Sequence, residues 1–160
     1  MALLTACKDE DVIIQGTNAT DDAFIVLAAM ANAAEIQAGE LAATKGTTEE
    51  IRNFAQMMVT DHTAAQDELR NIADDLGHGV VDTLDAIHKL LVLELTSRSG
   101  REFDSLYIVS QVLDHISALA LYEDEESDGE NDLLQTFATS KIPIINTHLT
   151  QVQALALDFE

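Results

Sequence analysis

Between Thr47 and Gly77 the positions Ile51, Ala55, Met58, His62, Ala65, Leu69, Ile72 and Leu76 recur in alternating steps of four and three, the period of a helix that buries one face along its whole length. Such a stripe is stable only when other elements cover it. The rest of the chain supplies helices to do so. Asp21 and Asp22 open a first long helix that runs to Lys45 and closes at Gly46, acids at the start and glycine at the end being the usual punctuation. Thr47 with Glu50 has capping-box spacing and starts the second helix. After Gly79, Asp82 is placed to cap a shorter helix that ends near Thr96, and Ser97 to Gly100 interrupt it. A third long helix is predicted from Arg101 to Glu126 on the stripe Asp104, Ile108, Val112, His115, Leu119, Tyr122. The fourth runs from Asn131 to Leu157 on Leu134, Phe137, Ile144, His148, Val152, Leu155. Pro143 lies inside it, where the missing N–H predicts a kink near Thr139.

At 1.5 Å per residue the long helices each span roughly 38–43 Å, which suits side-by-side packing. Turns of a few residues make the first two antiparallel neighbours, and the last two likewise. The expected fold over residues 21–157 is all-α. It is a ferritin-like bundle of four long helices, in which a short crossover helix returns the chain to its starting end in up-down-down-up order. One proline, no tryptophan and little valine–threonine alternation argue against strands.

Twenty-nine acidic residues against eight basic ones give a net charge of −21. A field of that sign repels nucleic-acid phosphates and anionic lipid surfaces, so nucleic acid is excluded as a partner. The same excess suits a protein kept soluble in a salty medium. No run of 18 apolar residues occurs, since Ala23 to Ala34 is broken by Asn32 and closed by Glu35. The expectation is that no helix crosses a membrane.

Residues 1–20 stand apart. Leu4-Thr5-Ala6-Cys7 has the order of a bacterial lipobox, in which the cysteine is acylated, and Lys8-Asp9-Glu10-Asp11 resembles the acidic export signal of surface lipoproteins. Six residues before Cys7 are fewer than a secretory signal needs. The other reading of Cys7 is a free thiol in a cytosolic terminus. With no second cysteine, an intrachain disulfide is excluded. Gly16, Asn18 and Thr20 read as part of a tether. The expected setting is the bacterial envelope, with membrane contact only through a lipid at Cys7.

Each long helix places one proton- or metal-competent residue on its buried face: Glu35 among Ala28, Ala31, Ala38 and Ala42, then His62, His115 and His148. Helical rise brings all four within about 10 Å of mid-height in a bundle roughly 40 Å long. Two readings stay open: a neutral hydrogen-bonded network, or a single iron, manganese or zinc ion. A dinuclear carboxylate centre needs Glu-x-x-His pairs, and the positions three before the histidines are Val59, Val112 and Ile145. Asp61 and Asp114 each precede a histidine, but neighbours on a helix point about 100° apart, so each reaches another helix or faces water. Asp104 reads as a first-turn acid. His78 and His88 read as surface residues, and Met30, Met57 and Met58 as core filler. Asp124 to Gly129 has partial calcium-loop spacing, but Gln135 stands where the bidentate glutamate belongs, and the run reads as a solvated turn.

The segments Ala34-Glu35-Ile36-Gln37-Ala38-Gly39-Glu40-Leu41-Ala42 and Phe54-Ala55-Gln56-Met57-Met58-Val59-Thr60-Asp61-His62, followed by Phe103-Asp104-Ser105-Leu106-Tyr107, Asp114-His115, Ile142-Pro143 and His148, resemble a bacterial ferritin-like family, domain of unknown function 4142. The resemblance covers residues 21–157. It implies the bundle fold and an envelope setting, supplies no activity, and marks Glu35, Asp61, His62, Asp104, Tyr107, His115 and His148 as candidate site residues. The first functional expectation is a non-enzymatic envelope domain acting through envelope proteins or self-association. The second is a metal-dependent redox or storage protein built on Glu35, His62, His115 and His148, with Asp61, Asp104, Tyr107 and Asp114 in support.

Overall fold

The computed structural model describes residues 15–159; Cys7 and the lipobox order around it lie outside them. Five helices follow one another: α1 (Ala19–Lys45), α2 (Glu49–Asp75), α3 (Ala86–Ser97), α4 (Gly100–Asp128) and α5 (Asp132–Ala156), then a 3₁₀ turn, Leu157–Phe159. No strand occurs among the described residues.

Local chemistry sets the ends. Asn18 caps α1 by accepting from the Thr20 and Asp21 amides, and Asp21 returns the bond to the Asn18 amide at 2.6 Å. Asp21 is therefore the third residue of a capping box rather than the opening of the helix. The residues before it are docked: Asn131 donates to the Gln15 carbonyl and Asn18 to the Asp128 carbonyl, so the tether reading does not reach residues 15–20. Thr48, one residue later than expected, caps α2, because Thr47 gives both its amide and its hydroxyl to Asp104. Gly77, at φ +79°, ends α2. The His78 amide bonds back to the Ala73 carbonyl and the Gly77 amide to that of Asp74, a Schellman closure for which glycine is the least strained residue. Asp85, not Asp82, caps α3, since Asp82 is held by Arg70 and Gln66. Asp124 to Asp128 continue α4 instead of forming a loop, and Gln135 donates to the Glu126 and Gly129 carbonyls, which removes the calcium-loop reading. α5 runs unbroken through Pro143.

α1 packs against α2 and α4, and α5 against α4 and α2. Asn18 meets Asp128, Asp61 meets His148, and Lys45 reaches the Leu95 carbonyl at the end of α3. These pairings make the order up-down-down-up, with α3 as the one crossover. α1 is long and apolar enough to cross a membrane by length and composition, contrary to the expectation that no helix is. Of that apolar stretch 56% is buried inside the bundle, where α1 packs against α2 and α4.

Ala33, Ala34 and Leu84 form a small apolar cluster, and the rest of the core has two large ones. One holds Phe24, Leu69, Tyr122, Leu134 and Phe137; the other holds Phe54, Met58, Leu95, Phe103, Tyr107 and Val152. Every long helix places buried polar residues at the level between these two, Asn32 and Glu35, His62 and Gln66, Gln111 and His115, and His148, with Ala33 and Ala34 beside them on α1. α5 departs from the predicted stripe at one position. Ile145 faces the core and Ile144 is 41% exposed.

Candidate metal centre

His62 from α2, His115 from α4 and His148 from α5 each offer a ring nitrogen, and the three nitrogens lie within 4.8 Å of one another. The rings stand 5.4–5.8 Å apart, centroid to centroid. Antiparallel packing of α4 on α5 and of α2 on α5 brings them to one level, as the helical offsets require.

The protons on these rings follow from their partners. His115 Nδ1 lies 2.9 Å from the Gln111 carbonyl, which only accepts, so Nδ1 carries the hydrogen. His148 Nε2 lies 2.9 Å from the Asp61 carboxylate and donates to it. His62 Nδ1 donates to Asn32 Oδ1 at 2.9 Å, and a relay fixes that amide. Gln66 Nε2 donates to the Asp82 carboxylate at 2.7 Å, which turns Gln66 Oε1 toward Asn32 Nδ2 and leaves Asn32 Oδ1 for the histidine. The free nitrogens are then His62 Nε2, His115 Nε2 and His148 Nδ1. The last two face each other at 3.4 Å, and His62 Nε2 is buried with no hydrogen-bond partner. Burial first, and then the neighbouring imidazoles, push His62 well below the usual histidine range. Burial lowers His115 to about 4 against its bond to Gln111, and it lowers His148 against the pull of Asp61. Burial favours the neutral form of all three rings, and one nitrogen of each lies within 4.8 Å of the others.

Glu35 is in the polar layer but on the far side of His115. Its Oε1 is 3.8 Å from His115 Nδ1, the nitrogen already committed to Gln111, and its Oε2 accepts from Gln111 Nε2 at 2.6 Å. It supports the histidine and is not placed as a ligand, which corrects the four-ligand expectation. Burial first, then the charge of Asp114, raise the Glu35 carboxyl to about 8. Tyr107, buried with no partner for its hydroxyl, is pushed well above its usual range by burial and by Glu35. Asp61 orients His148, a histidine of another helix. Asp104 is remote from the cluster and holds the α1–α2 turn through Thr47. Asp114 faces His88 at 3.6 Å, and His88 Nδ1 bonds Asp85 at 2.7 Å. His88 is therefore not the surface residue expected. Its bond to Asp114 and then that to Asp85 raise it to about 9 against the cost of burial.

Asn32, Gln66 and Gln111 are site residues that acid and imidazole chemistry alone does not single out. Helical spacing was the available signal: Asn32 is three before Glu35, Gln66 four after His62, and Gln111 four before His115.

A solved structure described as a crystal structure of a DUF305 fragment from Deinococcus radiodurans is similar in fold, with a TM-score of 0.79 and 8% sequence identity over 89% of this chain and 98% of that one. No curated protein matches the chain. The family model described as domain of unknown function (DUF4142) matches residues 13–155. With nearly the whole described bundle inside that match, the chain belongs to the DUF4142 family.

Proposed function

We propose that this domain binds one transition-metal ion through His62 Nε2, His115 Nε2 and His148 Nδ1. One observation carries the reading: three buried lone pairs converge, and the second nitrogen of every ring is committed as a donor to Asn32, Gln111 or Asp61. A self-contained hydrogen-bonded network needs a donor for each acceptor, and His62 Nε2 has none. A cation is the missing partner. Outward N–H bonds to carboxylate, carbonyl or amide are the support that ligating histidines regularly have. In a tetrahedral site with metal–nitrogen bonds of about 2.0–2.1 Å the ligand atoms stand about 3.3 Å apart; His115 and His148 already do, at 3.4 Å. Three imidazoles suit zinc, copper, iron or nickel, and with Glu35 outside the ligand set manganese loses the carboxylate it favours. The reading assigns binding and no reaction.

Elemental analysis of the untagged protein, purified without chelator, tests this beside the His62→Ala/His115→Ala variant. About one ion per chain, lost in the variant, is the expected result. A folded wild type that stays metal-free after dialysis against zinc would return the cluster to a structural role.

A second reading, self-association, rests on the outer face of α3, where Ile87, Leu90 and Leu93 are 77%, 64% and 66% exposed. Sedimentation velocity on the wild type and on Leu90→Glu tests it, a dimer lost in the variant being the expected result. The envelope anchor at Cys7 rests on residue order alone, and intact-mass analysis of a membrane fraction tests it by the added acyl mass.

A further inference from the structure

The three histidines line one part of a cavity of about 720 Å³, inside the range of small-molecule sites. The rest of the space is bounded by small side chains from three long helices: Ala31 of α1, Ala64 and Ala65 of α2, and Ala118 of α4. Met30, Leu121 and Ile145 complete the apolar wall. A larger side chain at these alanines would occupy the space, and the bundle forgoes the contacts that such a filling would add. Walls of this kind hold apolar molecules better than they hold water. The lining reaches solvent at Leu27, Ile87 and Leu113, on α1, α3 and α4, which are 50%, 77% and 60% exposed. Bulky apolar groups at a cavity mouth give an apolar guest a way in and further surface to cover.

A charge on the guest would find no open partner. Asp61 accepts from His148 at 2.9 Å, and Lys141 holds Glu68 at 2.5 Å. His88 bonds Asp85 at 2.7 Å and faces Asp114 at 3.6 Å, and Glu35 accepts from Gln111 at 2.6 Å. The three aspartates also turn 28–40% of their side chains to water, so they stand at the rim and not in the space. A charged guest would break one of these pairs or leave its own charge beside apolar walls, and either is costly.

We propose that the cavity binds an uncharged molecule with an apolar body, a fatty alcohol in its simplest form, with or without an ion on the histidines. Position and wall chemistry carry this, and it goes beyond the metal reading without depending on it.

The full chain, as purified and again after a chelator, is titrated with phenylnaphthylamine, an uncharged dye that brightens in apolar surroundings. Similar affinity in both samples is expected. Decanol should displace the dye about 10-fold more tightly, or better, than hexanol, since each buried methylene is worth about fourfold. It should surpass decanoate and decylammonium, which carry the same tail with a charge, by a similar factor. Ala31→Phe and Ala118→Phe, which fill the cavity, should each weaken dye and decanol at least 10-fold while the circular dichroism stays that of the wild type; two positions are used so that one folded variant suffices. Decanoate or decylammonium competing as well as decanol overturns the proposal, because the site then accepts charge. Dye bound by a folded cavity variant as by the wild type overturns it too, because the dye then sits elsewhere. Loss of dye binding with the chelator makes the ion part of the site and likewise overturns it. A chain that carries no metal yet binds the dye upholds the cavity while the metal reading falls.

Discussion

The carboxylate of Asp61 accepts the Nε2–H of His148 at 2.9 Å across the seam between α2 and α5, while its chain neighbour His62 turns to Asn32 on α1. The dipeptide Asp61-His62 thus serves two rings on two sides of one helix. It fixes the tautomer of His148 and leaves Nδ1 facing the other histidines.

Removing that orienting bond should loosen the metal more than the fold. Asp61→Ala is expected to lower zinc affinity about 10–100-fold, the usual cost of losing such a partner. Competition with a coloured chelator measures it. Asp61→Asn, which can still accept through its carbonyl oxygen, should recover part of the loss.

The relay from Asp82 through Gln66 and Asn32 to His62 is buried at its two amides. Asn32→Leu leaves the His62 Nδ1–H and Gln66 Oε1 unpaired, and each stranded buried group costs about 1–3 kcal/mol. The expected outcome is a urea midpoint lowered accordingly with an unchanged slope. A neutral midpoint would mean that the relay does not set the ring.

Glu125 is fully buried beside Asp21. Burial first, then the neighbouring Asp21 carboxylate, raise it from 4.5 to about 8. Burial pushes Asp21 up as well, but bonds from the Asn18, Asn131 and Glu130 amides outweigh this and leave it lowered. The folded chain therefore holds a proton on Glu125 that the unfolded chain releases near pH 4.5. The native state binds more protons between these values, so stability falls as pH rises from about 4.5 to about 8 and levels off above. Glu125→Gln should make that decline shallower, the share of Glu35, whose carboxyl is likewise raised to about 8, remaining; melting temperatures across this range check it. An equally steep decline in the variant would assign the pH dependence to another group.

Gly39 sits where α1 crosses α2. A Cβ there would stand 2.9 Å from Val59 Cγ2 and 3.1 Å from the Ala55 carbonyl oxygen. The methyl can rotate away, but the carbonyl is fixed in its helix. Gly39→Ala should therefore destabilise by about 1–3 kcal/mol through overpacking, despite the better helix propensity of alanine. Chemical denaturation measures which effect prevails.

The bundle was legible because its information is periodic. The stripe from Ile51 to Leu76 named the buried face of α2 through Leu69, and the short turns at Gly46 and Gly129 fixed the two hairpins. The order of the four helices followed once α3 was taken as a crossover. What escaped was local and polar. Ile144 was placed inside because Pro143 interrupts the pattern that would have shown Ile145 as the buried neighbour. His88 lies on a short helix with no clean stripe, so its pairing with Asp114, far along the chain, left no trace in spacing. Glu125 was hidden in an acidic run in which every neighbour is exposed. The three histidines were found as a set, whereas their protonation was not. The decisive partners, Gln111 carbonyl and the Asn32 and Gln66 amides, are groups whose role depends on which end of an amide faces the ring.

The separation of the two large apolar clusters by a polar layer gives the bundle a waist. Helices ordinarily fray from their ends, because the middle has the densest apolar cover. Here the densest cover lies toward the ends of α1, α2, α4 and α5, and the central turns rest on the small Ala33, Ala34 and Leu84 cluster and on a few directional bonds among rings and amides. Amide protons near Glu35, His62, His115 and His148 should therefore exchange with solvent sooner than those beside Phe24 and Phe103, since local opening follows apolar contact density. A guest that ties the waist together would reverse that order.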